Sequence, residues 1–250
     1  MKRIFVIASL IASPAFADVA AYNTAFEQGR YVQAAEIAVQ DETSDTLALA
    51  ARALLADGMS GEDQPAAALL GQAETYARRA LELDPAHIEG QLQLAIALSL
   101  KMRPMSTREA RRTGYSGVPR TLAESVLSAD PENAYAHGLL AVWNVEVVRR
   151  GGPIGSAIMG ASVREAREHY KIAVTSRPGD ASIHWQYARA LAALDPRKYR
   201  PDIDAALAAA RASPLDDALE TTMAARCDRL QAALDTLSSD AVEALAGNML

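Results

Sequence analysis

A repeated pattern punctuated by proline is the feature of this sequence that most constrains its fold. Three stretches share one layout: a helix-forming segment ends at a proline, two or three polar residues follow, and a new amphipathic segment begins. These stretches are residues 80–98, 126–143 and 173–191, and residues 209–227 form a weaker fourth copy. Proline cannot continue a preceding helix, and the polar residues beside it can cap the next one. Helix pairs repeated in a fixed order predict a solenoid, in which each pair buries its apolar face against its neighbours.

The spacing of apolar residues indicates helices from residue 20 to the end of the chain. Apolar residues recur at intervals of three and four in segments such as AETYARRALEL (73–83), REAREHYKIAV (164–174) and AALAAARA (205–212). The alternation of β-branched residues that is typical of strands is nearly absent. We therefore expect an all-α chain.

The repeats resemble the tetratricopeptide repeat (TPR). In that family the second helix carries small residues for close packing, and a proline closes the repeat. Two sets of residues match this pattern, Ala73, Ala80 and Pro85 in one copy and Ala166, Tyr170, Ala173 and Pro178 in another. First helices of the family carry a bulky residue before a small one, as in Leu94-Ala95, Leu140-Ala141, Tyr187-Ala188 and Met223-Ala224. Near the N-terminus, residues 25–38 look like the centre of a repeat, with Gly29 at the turn, Tyr31 between the helices and Ala34 at the close contact.

The resemblance implies a right-handed superhelical solenoid of antiparallel helix pairs, forming one domain over residues 18–250 with capping helices at about 215–250. The family period is 34 residues, whereas the closing prolines Pro85, Pro131, Pro178 and Pro214 are separated by 46, 47 and 36 residues. Two repeats therefore carry long inserted intra-repeat loops, which we place near 103–119 and 149–162. Because equivalent turns of stacked repeats are adjacent, we expect the two insertions to lie together on one edge.

The second insertion contains GSAIMGAS (155–162), which matches the phosphate-binding loop pattern except for its lysine. A phosphate loop needs a strand before it and a lysine to meet the phosphates, but here a helix precedes it and Ala161 takes the place of the lysine. We instead expect Ser162 to cap a helix that begins near Val163. In the first insertion, Ser106 and Glu109 have the spacing of a capping box and predict a short helix from near Thr107.

The first 17 residues have the form of a cleavable signal peptide. A basic start is followed by the apolar run IFVIASLIA (4–12), a helix-breaking Pro14 and the small residues Ala15 and Ala17. The alternative is a membrane anchor, but the run is shorter than the ~20 residues that span a bilayer. We expect cleavage after Ala17, a periplasmic location, and no transmembrane segment in the mature chain. The single cysteine, Cys227, excludes an internal disulfide and is interpreted as a buried residue, with intermolecular pairing as the alternative.

Positive charge is concentrated in the inserted repeats. The net charge is −9 over residues 18–100, +7 over residues 101–200 and −6 over residues 201–250. The insertions predict a basic edge consisting of Lys101, Arg103, Arg108, Arg111, Arg112, Arg149 and Arg150. Such an edge would suit an acidic protein segment or another anionic partner; the alternative is that these side chains are solvated or pair with acidic neighbours. An acidic exported chain without a stacking platform is not expected to bind nucleic acid.

No pattern of catalytic or metal-binding residues stands out. The four histidines lack the two-histidine ligand spacing on one helix, and the serines lack a nucleophile elbow. His137 and His184 occupy equivalent places in their repeats, which favours a structural role. We therefore expect no enzyme activity, no metal and no cofactor.

The remaining prediction is recognition through a surface. In TPR proteins the first helices line a concave groove that receives peptides or small ligands. By repeat position this groove would carry Leu92, Ile96, Tyr135, Val142, Trp185 and Arg189, together with Glu89 and Ser182. Alternatively, Trp185 and Tyr135 fill the core between repeats. The resemblance thus implies a non-enzymatic adaptor of the cell envelope with a protein or peptide partner; the alternative is a carrier or transporter subunit for an anionic small ligand. An enclosed pocket beneath the insertions would favour the carrier, and an open channel would favour peptides.

Overall fold

The computed structural model describes residues 14–250, with side chains described from residue 19. This part of the chain is built from helices alone, which confirms the predicted all-α solenoid. The helices are α1 (Pro14–Glu27), α2 (Tyr31–Ala38), α3 (Ser44–Ser60), α4 (Ala67–Leu83), α5 (Ile88–Met102), α6 (Thr107–Arg112), α7 (Val118–Ala129), α8 (Ala134–Met159), α9 (Val163–Ser176), α10 (Ala181–Leu194), α11 (Arg200–Ala212), α12 (Ala218–Thr236) and α13 (Ser239–Asn248).

Neighbouring helices form stacked pairs. α1 packs against α2, α3 against α4, α5 against α7, α8 against α9 and α10 against α11, with the short α6 inserted in the third pair. The first helices of successive pairs also contact one another: α3 contacts α5, and α8 contacts α10. The predicted small residues make this stacking close, because Ala73, Ala80, Ala166 and Ala173 have no exposed surface. Each pair thus buries its apolar face against the next, as a solenoid requires.

A hydrogen bond recurs at the closing prolines and explains the shared geometry of the repeats. The carbonyl oxygens of Pro85, Pro131 and Pro178 each accept a bond from the side chain six residues later, namely Gln91 (2.9 Å), His137 (3.0 Å) and His184 (3.0 Å). These three side chains are buried, so the bond gives each of them a hydrogen-bond partner inside the fold. This contact gives His137 and His184 the structural role that the sequence favoured.

The turn between α1 and α2 has the predicted form. Gly29 adopts φ +73°, a conformation that costs glycine little, and Tyr31 is buried between the helices. A Cβ atom on Gly29 would lie 3.0 Å from the Cβ of Ala218, at the start of α12. The turn therefore serves both its own repeat and a contact with the other end of the chain.

The first insertion contains the predicted helix, whereas the loop predicted for the second insertion is wrong. α6 begins at Thr107, and Ser106 and Glu109 form a capping box. The second insertion instead continues α8 to Met159 across a kink at Gly152, where φ is 57° and ψ is −163°. The chain turns at Gly152, whose conformation is open to glycine. Pro153 follows at the start of the new helical segment, where its missing N–H is not needed. GSAIMGAS therefore forms helical turns closed by Gly160, and Ser162 caps α9 as predicted.

The two ends of the solenoid meet. α12 contacts both α1 and α3, and α13 folds back against α10 instead of adding another layer. Side chains of the last repeat cross this junction: the Arg226 guanidinium donates to the carbonyl oxygens of Met59 (2.7 Å) and Gly61. The first helices consequently surround a common space. Across residues 14–250, no helix is long and apolar enough to cross a membrane.

Candidate binding site

A cavity of about 410 Å³ lies in the space surrounded by the first helices, and we call it the chamber. Its walls come from α1, α3, α5, α8, α10 and α12, and residues of both insertions contribute to its rim, among them Thr107, Arg111, Gly151 and Gly155. The insertions lie together as predicted, because the Thr107 hydroxyl donates to the carbonyl oxygen of Arg150 (3.3 Å). The site is therefore a partly enclosed cavity beneath the insertions.

Most of the predicted groove residues line the chamber. Leu92, Ile96, Tyr135, Val142 and Arg189 are brought together there, as are Glu89 and Ser182. Tyr135 is the accessible aromatic residue of this set, with 39% of its surface exposed. The Arg177 guanidinium lies 5.2 Å from the centre of its ring. Burial, followed by the negative charge of Asp180, raises the pKa of Tyr135 to about 12, so its hydroxyl remains a hydrogen-bond donor at neutral pH.

The placement of Trp185 on an open groove is wrong. This residue has no exposed surface, and its indole Nε1 donates to the carbonyl oxygen of Leu250 (2.7 Å). Arg189 touches the chamber but is only 2% exposed, and its guanidinium donates to the carbonyl oxygen of Ala246 (3.2 Å) and to Glu146 (3.3 Å). Both side chains are covered by the C-terminal residues that follow α12, so Trp185 belongs to the core.

The chamber also contains residues that the repeat positions did not predict. Apolar surface comes from Phe26, Met59, Leu219 and Met223. Arg52 lies 4.8 Å from the centre of the Phe26 ring and 3.9 Å from the Glu89 carboxylate. Leu219 and Met223 lie on α12, which is far in sequence from α1 and α3 and meets them only because the solenoid closes. Local sequence carries no signal for that closure.

The predicted basic edge is only partly present. Lys101 pairs with Glu74 (2.5 Å), and Arg149 pairs with Glu146 (2.7 Å). The Arg150 guanidinium donates to the carbonyl oxygens of Met102 and Met105, at the end of α5 and just beyond it. These three side chains therefore serve internal contacts and do not form an open surface.

Arg103 is also turned inward. Its guanidinium donates to the carbonyl oxygens of Gly247 (3.3 Å) and Met249. Burial, and then the positive charge of Arg189, lower the pKa of Arg103 to about 9. The exposed remainder of the edge is Arg108, Arg111 and Arg112 on α6, which form no ion pair with any described residue.

Glu146 balances part of the positive charge beside the chamber. Burial alone would raise the pKa of its carboxyl group, but the guanidiniums of Arg189 and Arg149 hold that pKa below its usual range. Glu146 is therefore a carboxylate that stays ionised and orients two arginines.

The other reactive groups lie elsewhere or are buried. No cluster of three or more His, Cys, Asp or Glu side chains in the described residues could hold a metal ion. Cys227 is buried, as the sequence favoured, and burial raises the pKa of its thiol to about 12. This thiol is protonated at neutral pH and is not a nucleophile there.

Comparison with known proteins supports the fold but not a specific function. No protein-family model matches the sequence, and no curated protein matches it. A solved structure that is similar is the crystal structure of a thermophilic TPR protein of Thermus thermophilus. The chain has a TPR-like fold. The two proteins are 20% identical, the match covers 86% of this chain and 96% of the other, and the TM-score is 0.54. At this identity, the TPR-like fold is all that the likeness shows.

Proposed function

We propose that this TPR-like protein is a non-enzymatic adaptor of the bacterial cell envelope that binds a protein segment in the chamber. The observation that carries the proposal is the convergence of Leu92, Ile96, Tyr135 and Val142 on one cavity between the first helices. Three of these residues are aliphatic, and the half-exposed Tyr135 offers both a ring and a hydroxyl. Apolar pockets with an aromatic anchor are where protein interfaces concentrate binding energy.

Affinity purification from an envelope extract tests this proposal. Wild-type protein should recover a partner protein, and the double variant Ile96→Ala/Val142→Ala should lose it because two apolar contacts in the chamber are removed. Ile172→Ala is the matched control, since Ile172 lies half-exposed on the outer helix α9 and does not line the chamber. Mass spectrometry identifies what is recovered. Equal recovery by all three proteins would show that the chamber does not bind the partner.

The envelope assignment rests on the predicted signal peptide. Residues 1–13 of that segment lie outside the described residues, and α1 as described includes the predicted cleavage point after Ala17. We expect a mature protein that begins at Asp18 and is released by osmotic shock, since cleavage removes the only apolar run of the leader. N-terminal sequencing of the released protein checks this. An intact Met1 in washed membranes would contradict it.

A second candidate function is transport or presentation of an anionic small ligand. The enclosure of the chamber favours it: the cavity volume of about 410 Å³ lies within the ~300–1,000 Å³ of small-ligand pockets, and residues of both insertions line it. The arginines and carboxylates of the lining are equal in number, and Arg52 and Arg189 pair with Glu89 and Glu146. An anionic ligand would therefore be bound by Arg111, which forms no ion pair with a described residue. Native mass spectrometry of protein purified from the same extract distinguishes the two functions, because a carrier would retain a bound small molecule and an adaptor would retain a protein.

A further inference from the structure

Five consecutive carbonyl groups at the end of the chain are bound by side chains from four different parts of the fold. We call residues 239–250 the tail. The Ala246 carbonyl accepts from Arg189, those of Gly247 and Met249 from Arg103, that of Asn248 from Gln64 (2.9 Å), and that of Leu250 from Trp185 (2.7 Å) and Arg226 (3.0 Å). The donors lie after α3, after α5, on α10 and on α12. Side chains that donate to carbonyl groups recognise the backbone of a peptide and not its particular side chains.

Single arginines also cap the carbonyl ends of α3, α5, α8 and α12, but the end of α13 is bound by five side chains. Arg189 and Arg226 are buried, and neither Arg103 nor Arg226 forms an ion pair with a side-chain carboxylate of the described residues. Burial lowers the pKa of Arg226 and of Arg189, which reflects the cost of keeping each charge away from water. Packed apolar residues commonly stabilise a buried contact as well as charged ones do. The convergence of five side chains from four parts of the fold on these carbonyls is therefore the feature that points to recognition of a peptide.

The tail itself has the properties of a bound ligand. α13 contains ten residues, and helices shorter than about 12–15 residues are marginal in water, so its helical form depends on docking. Its buried side chains are Val242, Ala246, Met249 and Leu250. After α13 the backbone becomes extended at Met249. The connection from α12 consists of Leu237 and Ser238 alone, which keeps the tail close to its site.

We propose that Gln64, Arg103, Trp185, Arg189 and Arg226 form a peptide-binding site that the protein fills with its own tail, and that a partner peptide of the same chemistry displaces the tail. That chemistry is a short helix with small apolar residues, followed by extended apolar residues. The inference rests on the proposed role of the concave side in binding protein segments. Because Arg103 and Arg189 also line the chamber, displacement of the tail would alter one of its walls.

A tail that occupies a peptide-binding site must compete with an added peptide, whereas a tail that only packs against the core need not. A peptide added in solution competes with the tail, so its apparent affinity is reduced in proportion to the small fraction of molecules whose tail is undocked. Weakening the tail's own side chains should therefore tighten binding of the added peptide. Val242→Ala and Leu245→Ala serve this purpose, because both residues belong to the docked helix and neither is a donor of the site.

The test uses the full chain and a fluorescein-labelled peptide with the sequence of residues 239–250, followed by fluorescence anisotropy. Val242→Ala should bind the peptide about tenfold more tightly than wild type, as expected for the loss of two buried methyl groups from the tail, and Leu245→Ala should shift in the same direction. Unlabelled peptide should compete in each case. Val126→Ala is the matched control, since it removes the same groups from an equally buried site on α7; its peptide affinity should equal that of wild type.

Two results would overturn the proposal: no saturable binding by either tail variant, or an equal gain of affinity in Val126→Ala. Circular dichroism checks that each variant is folded. If Val242→Ala does not fold, Leu245→Ala is used in its place. The two experiments have separate readouts: recovery of a partner from an extract tests the chamber, whereas the affinity of a purified peptide in the tail variants tests the tail site. Ile96 and Val142 pack against the hydrophobic clusters that contain Leu250 and Val242, so neither residue is varied in the peptide experiment.

Discussion

Trp185 and Arg189 show what residue spacing can and cannot establish. Their separation of four residues places them on one face of α10, and both do point toward the tail. The sequence around them contains nothing that indicates what covers this face, because the covering residues are more than fifty positions away. Side-chain type was equally ambiguous, since tryptophan and arginine serve both interfaces and buried contacts. Burial at the residue scale was decided by a long-range contact.

The burial of Trp185 leads to a stability prediction. Trp185→Ala should lower the free energy of unfolding by about 3–5 kcal/mol, because it leaves a cavity in the core and the Leu250 carbonyl without its indole donor. Tyr135→Ala, at a site 39% exposed, should cost much less. Urea unfolding followed by circular dichroism measures both. A Trp185→Ala variant as stable as wild type would show that Trp185 does not contribute to the core.

His169 gives the folded protein a predictable response to acid. Its Nδ1 lies 2.8 Å from Nδ1 of His137, whose Nε2 donates to the Pro131 carbonyl. Burial, and then the charge of His137, lower the pKa of His169, although Glu165 and Glu124 oppose this. The unfolded chain therefore binds a proton below about pH 6.5 that the folded chain resists. Stability is greatest above that pH and is lost as the pH falls.

Replacing the titrating ring tests this response. His169→Gln should retain a donor for His137 and show a flatter decline in urea midpoint between pH 7 and pH 5 than wild type. The difference should stay below the ~1.4 kcal/mol per pH unit of a single proton, because the ring is only half-buried. Parallel pH profiles for the two proteins would mean that His169 does not contribute.

At the scale of elements, helix existence was predictable and helix continuity was not. Periodicity, closing prolines and capping residues predicted an all-α chain and several of its helices, including α6 from its capping box, and the structure confirms these. The sequence predicts a loop over 149–162, and that range contains the run Gly151-Gly152-Pro153, whose residues usually interrupt a helix. In the structure a single residue, Gly152, absorbs the interruption, and the chain resumes helical turns at once. Sequence pattern identifies a breaker but not how many residues it affects.

Two adjacent glycines allow a test of that kink. Gly152→Ala should destabilise the protein by about 1–3 kcal/mol, because its backbone conformation strongly disfavours a Cβ atom although nearby space is open. Gly151→Ala is the control: it has no positive φ, an added Cβ would make ordinary contacts, and alanine favours helix over glycine. Thermal unfolding compares the two. Equal effects would show that the kink does not require glycine.

The α6 arginines carry a prediction about the exposed part of the basic edge. Replacing Arg108, Arg111 and Arg112 with Gln should weaken binding of an acidic partner and reduce the salt dependence of that binding, since exposed charges are screened over about 8–10 Å. Stability should change by less than about 1 kcal/mol. The same charge change at the exposed residues Arg164, Lys171 and Arg197 is the control. Pull-down of the recovered partner at low and high salt measures the effect. If the triple variant behaves like wild type, these three arginines do not contribute to partner binding.

The whole molecule differs from an open solenoid because its ends are joined. In an open array each repeat contacts only its neighbours, so a change in the last repeat is not felt near the first. Here Arg226 on α12 donates to Met59 and Gly61, at the end of α3 and just beyond it, and to Leu250 in the tail. Arg229 pairs with Glu62 across the same junction. Stability should therefore be shared between regions that are distant in sequence.

Hydrogen exchange can detect this sharing. Arg226→Met keeps the length of the side chain but removes every donor, and three backbone carbonyls lose a charged partner, which costs on the order of 2 kcal/mol or more. Amide protection should fall in α12 and the tail, and also in the second half of α3, because the junction holds that helix end. Arg211→Met is the matched control, since Arg211 links only the neighbouring helices α11 and α12 through Asp228 (2.8 Å). Its effect should stay within those helices. If Arg226→Met also leaves α3 fully protected, the ends touch without stabilising each other, and the chamber is held by the nearest-neighbour packing of its repeats alone.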